Sequence, residues 1–331
     1  MCARPAGYPP PSRPLDRLEG RDNASTRHPD PIPFMHLFTR VSLVALGASF
    51  LLASCGADVE GGGASQPLRF TAIPGENTSE MIEKFGAVAR YLSAELEVEV
   101  EYVHVSDYGA SVEAFKSGDA LLSWFGGLTG VRARKAVPGA RAIAQGKVDP
   151  QYKSYFIASA ESGLEASDTF PNELAGRTFT FGSDSSTSGR LMPEYFIRQA
   201  TGKSPAEFFG SAMSFSGSHD QTWRLVQEGS FDAGVLSYKT YETRKAAGEL
   251  DPERCKVIWV TPSYPDYSWH AHPELDARYG AGFTEKVRNA LVSIEDPQLL
   301  SAIMREEGLI PASNEDFAPL EGLALELGLT R

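Results

Sequence analysis

Residues 177–196 read RTFTFGSDSSTSGRLMPEYF. The β-branched and aromatic residues up to Gly182 have the character of a strand, and a run of small hydroxylated residues follows it. Pro193 and Glu194 then suit the first turn of a helix, where a missing N–H costs nothing and a carboxylate meets the positive end of the dipole. The unit is strand, hydroxyl-rich turn, helix. Such a turn can cradle an anion, because the first helical amides lack intrahelical partners and point at one spot. The hydroxyls of Ser186, Thr187 and Ser188 would add donors there. An ordinary capped helix after a serine-rich loop reads the same way, so the rest of the chain must decide.

On either side the same kind of unit recurs. PLRFTAIP (67–74) reads as a strand, TSEMIEKFGAVARYLSAELE (78–97) as a helix, and VEVEYVHV (98–105) as a second strand with strict alternation. SDYGASVEAFKSGD is a capped helix, and ALLSWFGGLTG a buried strand running into a glycine turn and another helix. GARAIAQG and SYFIAS are further strands. After residue 177 come SAMSFSG, the helix HDQTWRLVQEG, FDAGVLSY, a helix through Arg244, and CKVIWVTP, a second α/β unit of similar size. Three helical patterns close the chain. This alternation predicts an α/β protein of two lobes, each a mixed, mostly parallel sheet flanked by helices. Lobe 1 is expected over 68–160 and 262–331 and lobe 2 over 161–261. Two crossings near Ala158–Gly163 and Val260–Ser263 would form the hinge, with the ligand in the cleft.

The first 54 residues differ from that body. Residues 1–34 are rich in Pro, Arg and Asp without apolar periodicity, and translation is expected to start at Met35. MHLFTRVSLVALGASFLLASC (35–55) has the basic start and short apolar core of a secretory signal, too short for a comfortable membrane span. Its end, Leu52-Ala53-Ser54-Cys55, resembles the bacterial lipobox, which implies a lipidated Cys55 as the mature N-terminus and a flexible linker over 55–67. Cys255 then has no partner for an intrachain disulfide and is expected to be a structural or partly exposed thiol. Residues 55–331 hold 25 basic and 39 acidic side chains, a formal −14 against −12 for the whole chain, which excludes nucleic acid as a partner. A small anion would have to be held by local dipoles and hydrogen bonds against the protein's overall field.

VSDYGASVEAFKSGDALLSWFGG (105–127), DPQYKSYFIAS (149–159), FTFGSDSSTSGRLMPEYF (179–196), SGSHDQTWRLVQEGSFDAGVLSY (216–238) and VIWVTPSYPDYSW (257–269), in this order, resemble the periplasmic phosphonate/phosphite-binding proteins of ABC importers. The similarity covers residues 68–331, and within it the chain is similar to a branch labelled selenate-binding. The resemblance implies a two-lobed type II periplasmic binding protein, not an enzyme and without cofactor or metal. Such a protein closes on a tetrahedral oxyanion and delivers it to a membrane permease and its ATPase. It implies that Ser186, Thr187 and Ser188 form the oxyanion-binding turn, that His219 donates to an anion oxygen, and that Tyr108 and Tyr152 reach the ligand from the first lobe. A lipid-anchored monomer in the periplasm or at the cell surface follows from the same likeness together with Cys55.

One position departs from the aminoalkylphosphonate binders. Lys239 stands where an acidic residue would receive an ammonium group, while Asp266 keeps the other acidic position. If Lys239 faces the cleft, it favours a compact or more highly charged anion. Selenate and sulfate carry no proton near neutral pH, whereas phosphate, phosphite and phosphonates can bring one that needs an acceptor. A buried carboxylate facing the ligand, Asp107 or Asp266, would therefore reject selenate.

Two other functions compete. A serine/histidine hydrolase lacks a G-x-S-x-G elbow here, and His219, His270 and His272 lack metal-ligand spacing, with WHAHPE reading as a loop. An oxyanion-sensing lipoprotein serving a membrane sensor would use the same fold, and its gene neighbours would distinguish it.

Overall fold

The computed structural model describes residues 66–75 and 77–330. The expected secretory signal over 35–54 and Cys55 lie outside the described residues. Four strands open the first sheet: β1 (Leu68–Ala72), β2 (Val100–Tyr102), β3 (Leu122–Phe125) and β4 (Arg141–Gly146). The second sheet takes β5 (Ser154–Ser159), β6 (Phe179–Phe181), β7 (Ser214–Phe215), β8 (Ala233–Ser237) and β9 (Cys255–Val260), after which β10 (Ser268–Ala271) and β11 (Leu309–Pro311) return to the first. The orders are β11-β4-β10-β3-β1-β2 and β7-β6-β8-β5-β9.

The helices are α1 (Thr78–Leu96), α2 (Tyr108–Lys116), α3 (Gly127–Ala136), α4 (Met192–Thr201), α5 (Pro205–Phe209), α6 (His219–Gln227), α7 (Tyr238–Ala246), α8 (Glu274–Tyr279), α9 (Phe283–Val292), α10 (Pro297–Ala302) and α11 (Ala318–Glu326). Helix α1 shows how the pattern works. Asn77 caps it by accepting from the Glu80 amide, and Phe85, Val88, Ala89, Leu92 and Leu96 recur at helical spacing as its buried stripe.

The two sheets share one design. β1 pairs in parallel with β2 and β3, and β6 with β7 and β8, whereas the strands that enter each lobe, β5 and β10, run antiparallel to both neighbours. The register explains what this does. Phe125 at the end of β3 lies opposite Ser268 at the start of β10, and Ser237 at the end of β8 opposite Ser154 at the start of β5. The C-terminal ends of β3 and β8 therefore lie beside the crossings, on the side where α/β sheets present their ligand loops.

The first crossing falls earlier in the chain than its sequence suggests. SYFIAS pairs with β8 and β9, so the chain passes between lobes before Ser154 and not at Ala158–Gly163. A buried apolar run looks alike whichever sheet it joins, which is why periodicity places the strand but not its partners. The two crossings touch: the amides of Tyr152 and Tyr264 donate to each other's carbonyls at 2.9 and 3.0 Å, and the Asp266 amide donates to the Asp149 carbonyl. Cys255 is buried, and burial pushes its thiol up to about 12. His270 lies in strand β10 rather than in a loop, its Nε2 2.9 Å from the Arg134 guanidinium.

Candidate functional site

The hydroxyl-rich turn is built by two glycines and a proline. Ser186 caps it, its Oγ accepting from the Gly189 amide at 2.9 Å, and Thr187–Leu191 form a π-turn that runs straight into α4. Pro193 is the second residue of α4, in the first turn expected for it, with the π-turn ahead of it. Having no N–H, it leaves the Gly189 carbonyl free of its usual helical donor, and that carbonyl accepts from the Gly182 amide at 2.9 Å. The two backbones approach so closely that a Cβ on Gly189 would stand 3.1 Å from the Gly182 Cα and 3.2 Å from the His219 ring. Glycine at both positions is what lets the turn press against the histidine.

His219 is the first residue of α6 and is buried. Its Nδ1 accepts from the Ser237 amide at 3.3 Å, and its Nε2 faces Ser188 Oγ, also at 3.3 Å. Burial drives its pKa down to about 4, so the ring is neutral at physiological pH. With Nδ1 occupied as an acceptor, the single proton sits on Nε2, which is a donor directed at the turn.

Tyrosines and serines from the crossings complete this side. Ser154 Oγ donates to the Ser188 carbonyl at 2.7 Å and shares a 2.5 Å bond with the Tyr264 hydroxyl. Tyr152 shares a hydrogen bond with Ser237 Oγ and packs against Tyr238 and Tyr267, so it stands at the crossing with its hydroxyl engaged. Tyr108, at the start of α2, lies beside the Ser186 side chain; burial first, then Asp266 and Asp220, raise its pKa.

From the other lobe comes a second helix N-terminus that the sequence reading did not single out. The Gly127 amide donates to Asp266 Oδ1 at 2.8 Å, and the Leu128 amide donates to Thr187 Oγ1 at 2.9 Å. The tip of α3 therefore faces the tip of the hydroxyl turn across the lobes. Its sequence signal, WFGG, is the same strand–glycine–helix junction as FTFGSDSSTSG.

Asp266 sits between these two tips and is fully buried. Oδ1 and the Thr187 hydroxyl both lie 3.4 Å from where a Cβ on Gly126 would be, whereas Oδ2 is buried and meets no donor in the protein. Burial raises its carboxyl from the ordinary 3.8 to about 7, against the pull of the Gly127 amide and the Thr187 hydroxyl. Asp107 is different: it is exposed and caps α2 by accepting from the Ala110 amide.

Lys239 does not join the group. Its ammonium lies 3.1 Å from Glu306 and 2.9 Å from Glu307, two carboxylates of the first lobe, so the compact-anion argument built on it falls away. The buried cation nearest the tyrosines is Arg305, paired with Asp149 at 2.7 Å and packed on the rings of Tyr267, Trp124 and Tyr152. A cavity of about 100 Å³ opens beside the constellation, with Tyr108, His219, Trp124 and Tyr267 in its wall.

Two α/β lobes joined by two crossings, with helix tips converging from both sides, define a type II periplasmic binding protein. The chain belongs to the family described as ABC transporter, phosphonate, periplasmic substrate-binding protein, whose profile matches residues 70–317. It is 36% identical over 270 residues to a Prochlorococcus marinus protein named "Probable ABC transporter phosphite binding protein PhnD1", covering 80% of this chain and 91% of that one. It is 30% identical over 210 residues to the "Phosphate-import protein PhnD" of Mycolicibacterium smegmatis, covering 60% of this chain and 63% of that one. The solved structure of the Prochlorococcus PhnD1 in complex with methylphosphonate superposes with a TM-score of 0.75 at 35% identity, covering 80% of this chain and 99% of that one.

Proposed function

We propose that the protein is the substrate-binding component of an ABC importer and captures a tetrahedral oxyanion that carries a proton, a phosphite or phosphonate monoanion, between its lobes. The observation that carries this reading is the Asp266 carboxylate, fully buried between two helix tips with Oδ2 lacking any donor in the protein. A bound P–OH group would supply that donor, while the remaining ligand oxygens would accept from the Thr187 and Ser188 amides, the Ser186 and Ser188 hydroxyls, and His219 Nε2–H. Above about pH 7, where Asp266 has given up its own proton, sulfate and selenate have none to offer, so against them the carboxylate is a repulsive contact.

The closed arrangement supports capture by hinge closure. Thr187 already touches the Leu128 amide across the cleft, and Tyr152 and Tyr264 pair at the crossings. Catalysis is disfavoured by a proton in the wrong place. A hydrolase would need His219 Nε2 bare to take the serine proton and Nδ1–H on a carboxylate, whereas Nδ1 here accepts from a backbone amide. The lipobox-like sequence supports attachment to the membrane through Cys55 as a monomer serving a permease and its ATPase; Cys55→Ala should move the protein from the membrane fraction to the soluble one.

Titration calorimetry with phosphite, methylphosphonate, phosphate, 2-aminoethylphosphonate, sulfate and selenate tests the reading. At pH 8, binding of phosphite, methylphosphonate and phosphate without sulfate or selenate is expected. Tighter binding of selenate than of phosphite would refute it.

A further inference from the structure

The cavity beside the oxyanion turn has a wall in which apolar surface predominates. Ile73, Met81, Phe85, Trp124, Ile303 and Met304 line it, and the charged residues that share the wall are paired with one another: Arg244 with Asp220 at 2.7 Å and with Glu80 at 3.3 Å, and Glu80 with Lys84 at 2.7 Å. Tyr108 and His219, whose polar ends lie beside Ser186 and Ser188, belong to the same wall. The cavity is thus where the substituent of a tetrahedral anion points once its oxygens lie on the turn. The two carboxylates in the wall, Glu80 and Asp220, are each held by a cation, so the chamber favours an uncharged substituent over an ammonium group.

One residue of the wall is held under strain. Met304 has φ 52, a left-handed conformation that only it and the helix-ending Glu97 adopt among the described non-glycine residues. Such a conformation persists where the surroundings over-determine it. Arg305 does so, donating from one guanidinium nitrogen to the Ile303 and Met304 carbonyls at 3.2 and 2.8 Å, while Asp149 and three aromatic rings fix the rest of its side chain. On the far side Glu306 and Glu307 tie the same turn to Lys239. We propose, resting on the oxyanion reading above, that Met304 is a specificity-determining residue: from the chamber wall it limits the length of the uncharged substituent that a bound phosphonate carries. The unbranched thioether makes a deformable wall, so the limit on chain length is graded.

The test uses calorimetric titration of the mature protein with phosphite and with methyl-, ethyl-, propyl- and butylphosphonate, on the wild type, Met304→Gly and Met304→Asn. Glycine takes this backbone conformation without strain and asparagine tolerates it, so both variants keep the turn, which thermal melting checks. Met304→Gly is expected to raise propylphosphonate affinity relative to methylphosphonate by about tenfold, the gain from burying two further methylenes, with phosphite unchanged within about twofold. Met304→Asn, polar at the same place, should give no such gain. The same propyl-to-methyl ratio in all three proteins, or a uniform shift of every ligand in Met304→Gly, overturns the role of Met304 and leaves the oxyanion site standing. A wild type that binds none of the series overturns both.

Discussion

Asp266→Asn replaces an acceptor by a donor at one atom and should exchange the ligands that the site accepts. On the proposed reading, Oδ2 of the wild type receives the ligand's P–OH in a charge-assisted hydrogen bond worth about 1.5–3 kcal/mol. Asparagine presents an N–H₂ group at that position. Phosphite and methylphosphonate monoanions should then lose about tenfold to a hundredfold in affinity, while sulfate or selenate, repelled before, should gain. The pH dependence should change sign as well. One proton must lie between Asp266 and the ligand in the wild-type complex, so affinity falls as pH rises above about 7, where the carboxyl itself titrates. With asparagine the dianion is preferred, and phosphonate affinity should rise over the same range. The ligand-free protein carries the corresponding signature in stability. A carboxyl whose proton is held more tightly in the folded state contributes stability that is complete below its unfolded pKa of 3.8 and is lost as pH rises to about 7, some 4 kcal/mol at 1.36 kcal/mol per pH unit. Asp266→Asn should therefore melt higher than the wild type at pH 8, less the cost of an unpaired amide, about 1–3 kcal/mol. Calorimetric titrations at pH 6 to 9 and melting curves at pH 8 decide it. Equal weakening of every anion, with the pH slope unchanged, would mean that Oδ2 does not meet the ligand.

His219→Ala removes one neutral donor and should weaken phosphite binding by about 1.5–3 kcal/mol, while wild-type affinity shows no histidine step between pH 5.5 and 8, because the ring titrates near 4; a step there in the wild type that vanishes in the variant would show an imidazolium. Gly189→Ala places a methyl 3.0 Å from Ser186 Oγ and 3.1 Å from the Gly182 Cα, and should cost about 1–3 kcal/mol of stability by overpacking; an unchanged melting temperature would contradict the close approach. Glu80→Gln and Glu307→Gln each break an ion pair between lobes, with Arg244 and Lys239 respectively. Partly exposed pairs of this kind are worth about 0.2–1 kcal/mol, so ligand release in stopped-flow should quicken by up to about fivefold at low salt and merge with the wild-type rate at high salt; a salt-independent acceleration would exclude the clasp.

The strand–turn–helix unit at 177–196 is legible because each step is local: β-branched residues before Gly182, a cap at Ser186, and a proline that can continue a helix only if its missing N–H is no loss. What sequence does not carry is partnership at a distance. SYFIAS is plainly a strand, but its place between β8 and β9 depends on residues 233–260. Lys239 looks available for an anion until Glu306 and Glu307, almost seventy residues on, arrive beside it. The donor at Gly127 is hidden for another reason: it is a backbone amide, which no side-chain motif announces.

On the oxyanion reading, the charge of the ligand would be met without a dedicated cation among the described residues, and this would allow proton counting to discriminate. Arg305 is matched by Asp149 and Lys239 by two glutamates, and Arg132 beside the turn donates to Ser185 Oγ at 2.5 Å and to the Leu329 carbonyl, so among the described residues the groups placed on the Ser186–Ser188 turn itself are amides, hydroxyls, a neutral imidazole and one carboxylate. An unpaired lysine or arginine in their midst would favour a dianion over a monoanion by its Coulomb attraction, which at close range and low dielectric exceeds a single hydrogen bond. Neutral donors have no such bias of that size, and the balance then turns on Asp266, which favours the anion that still holds a proton. The net negative charge of the chain fits this design: it repels a dianion more than a monoanion, but only weakly, being screened within about 8 Å at physiological salt, so selection is left mainly to the geometry between the two helix tips.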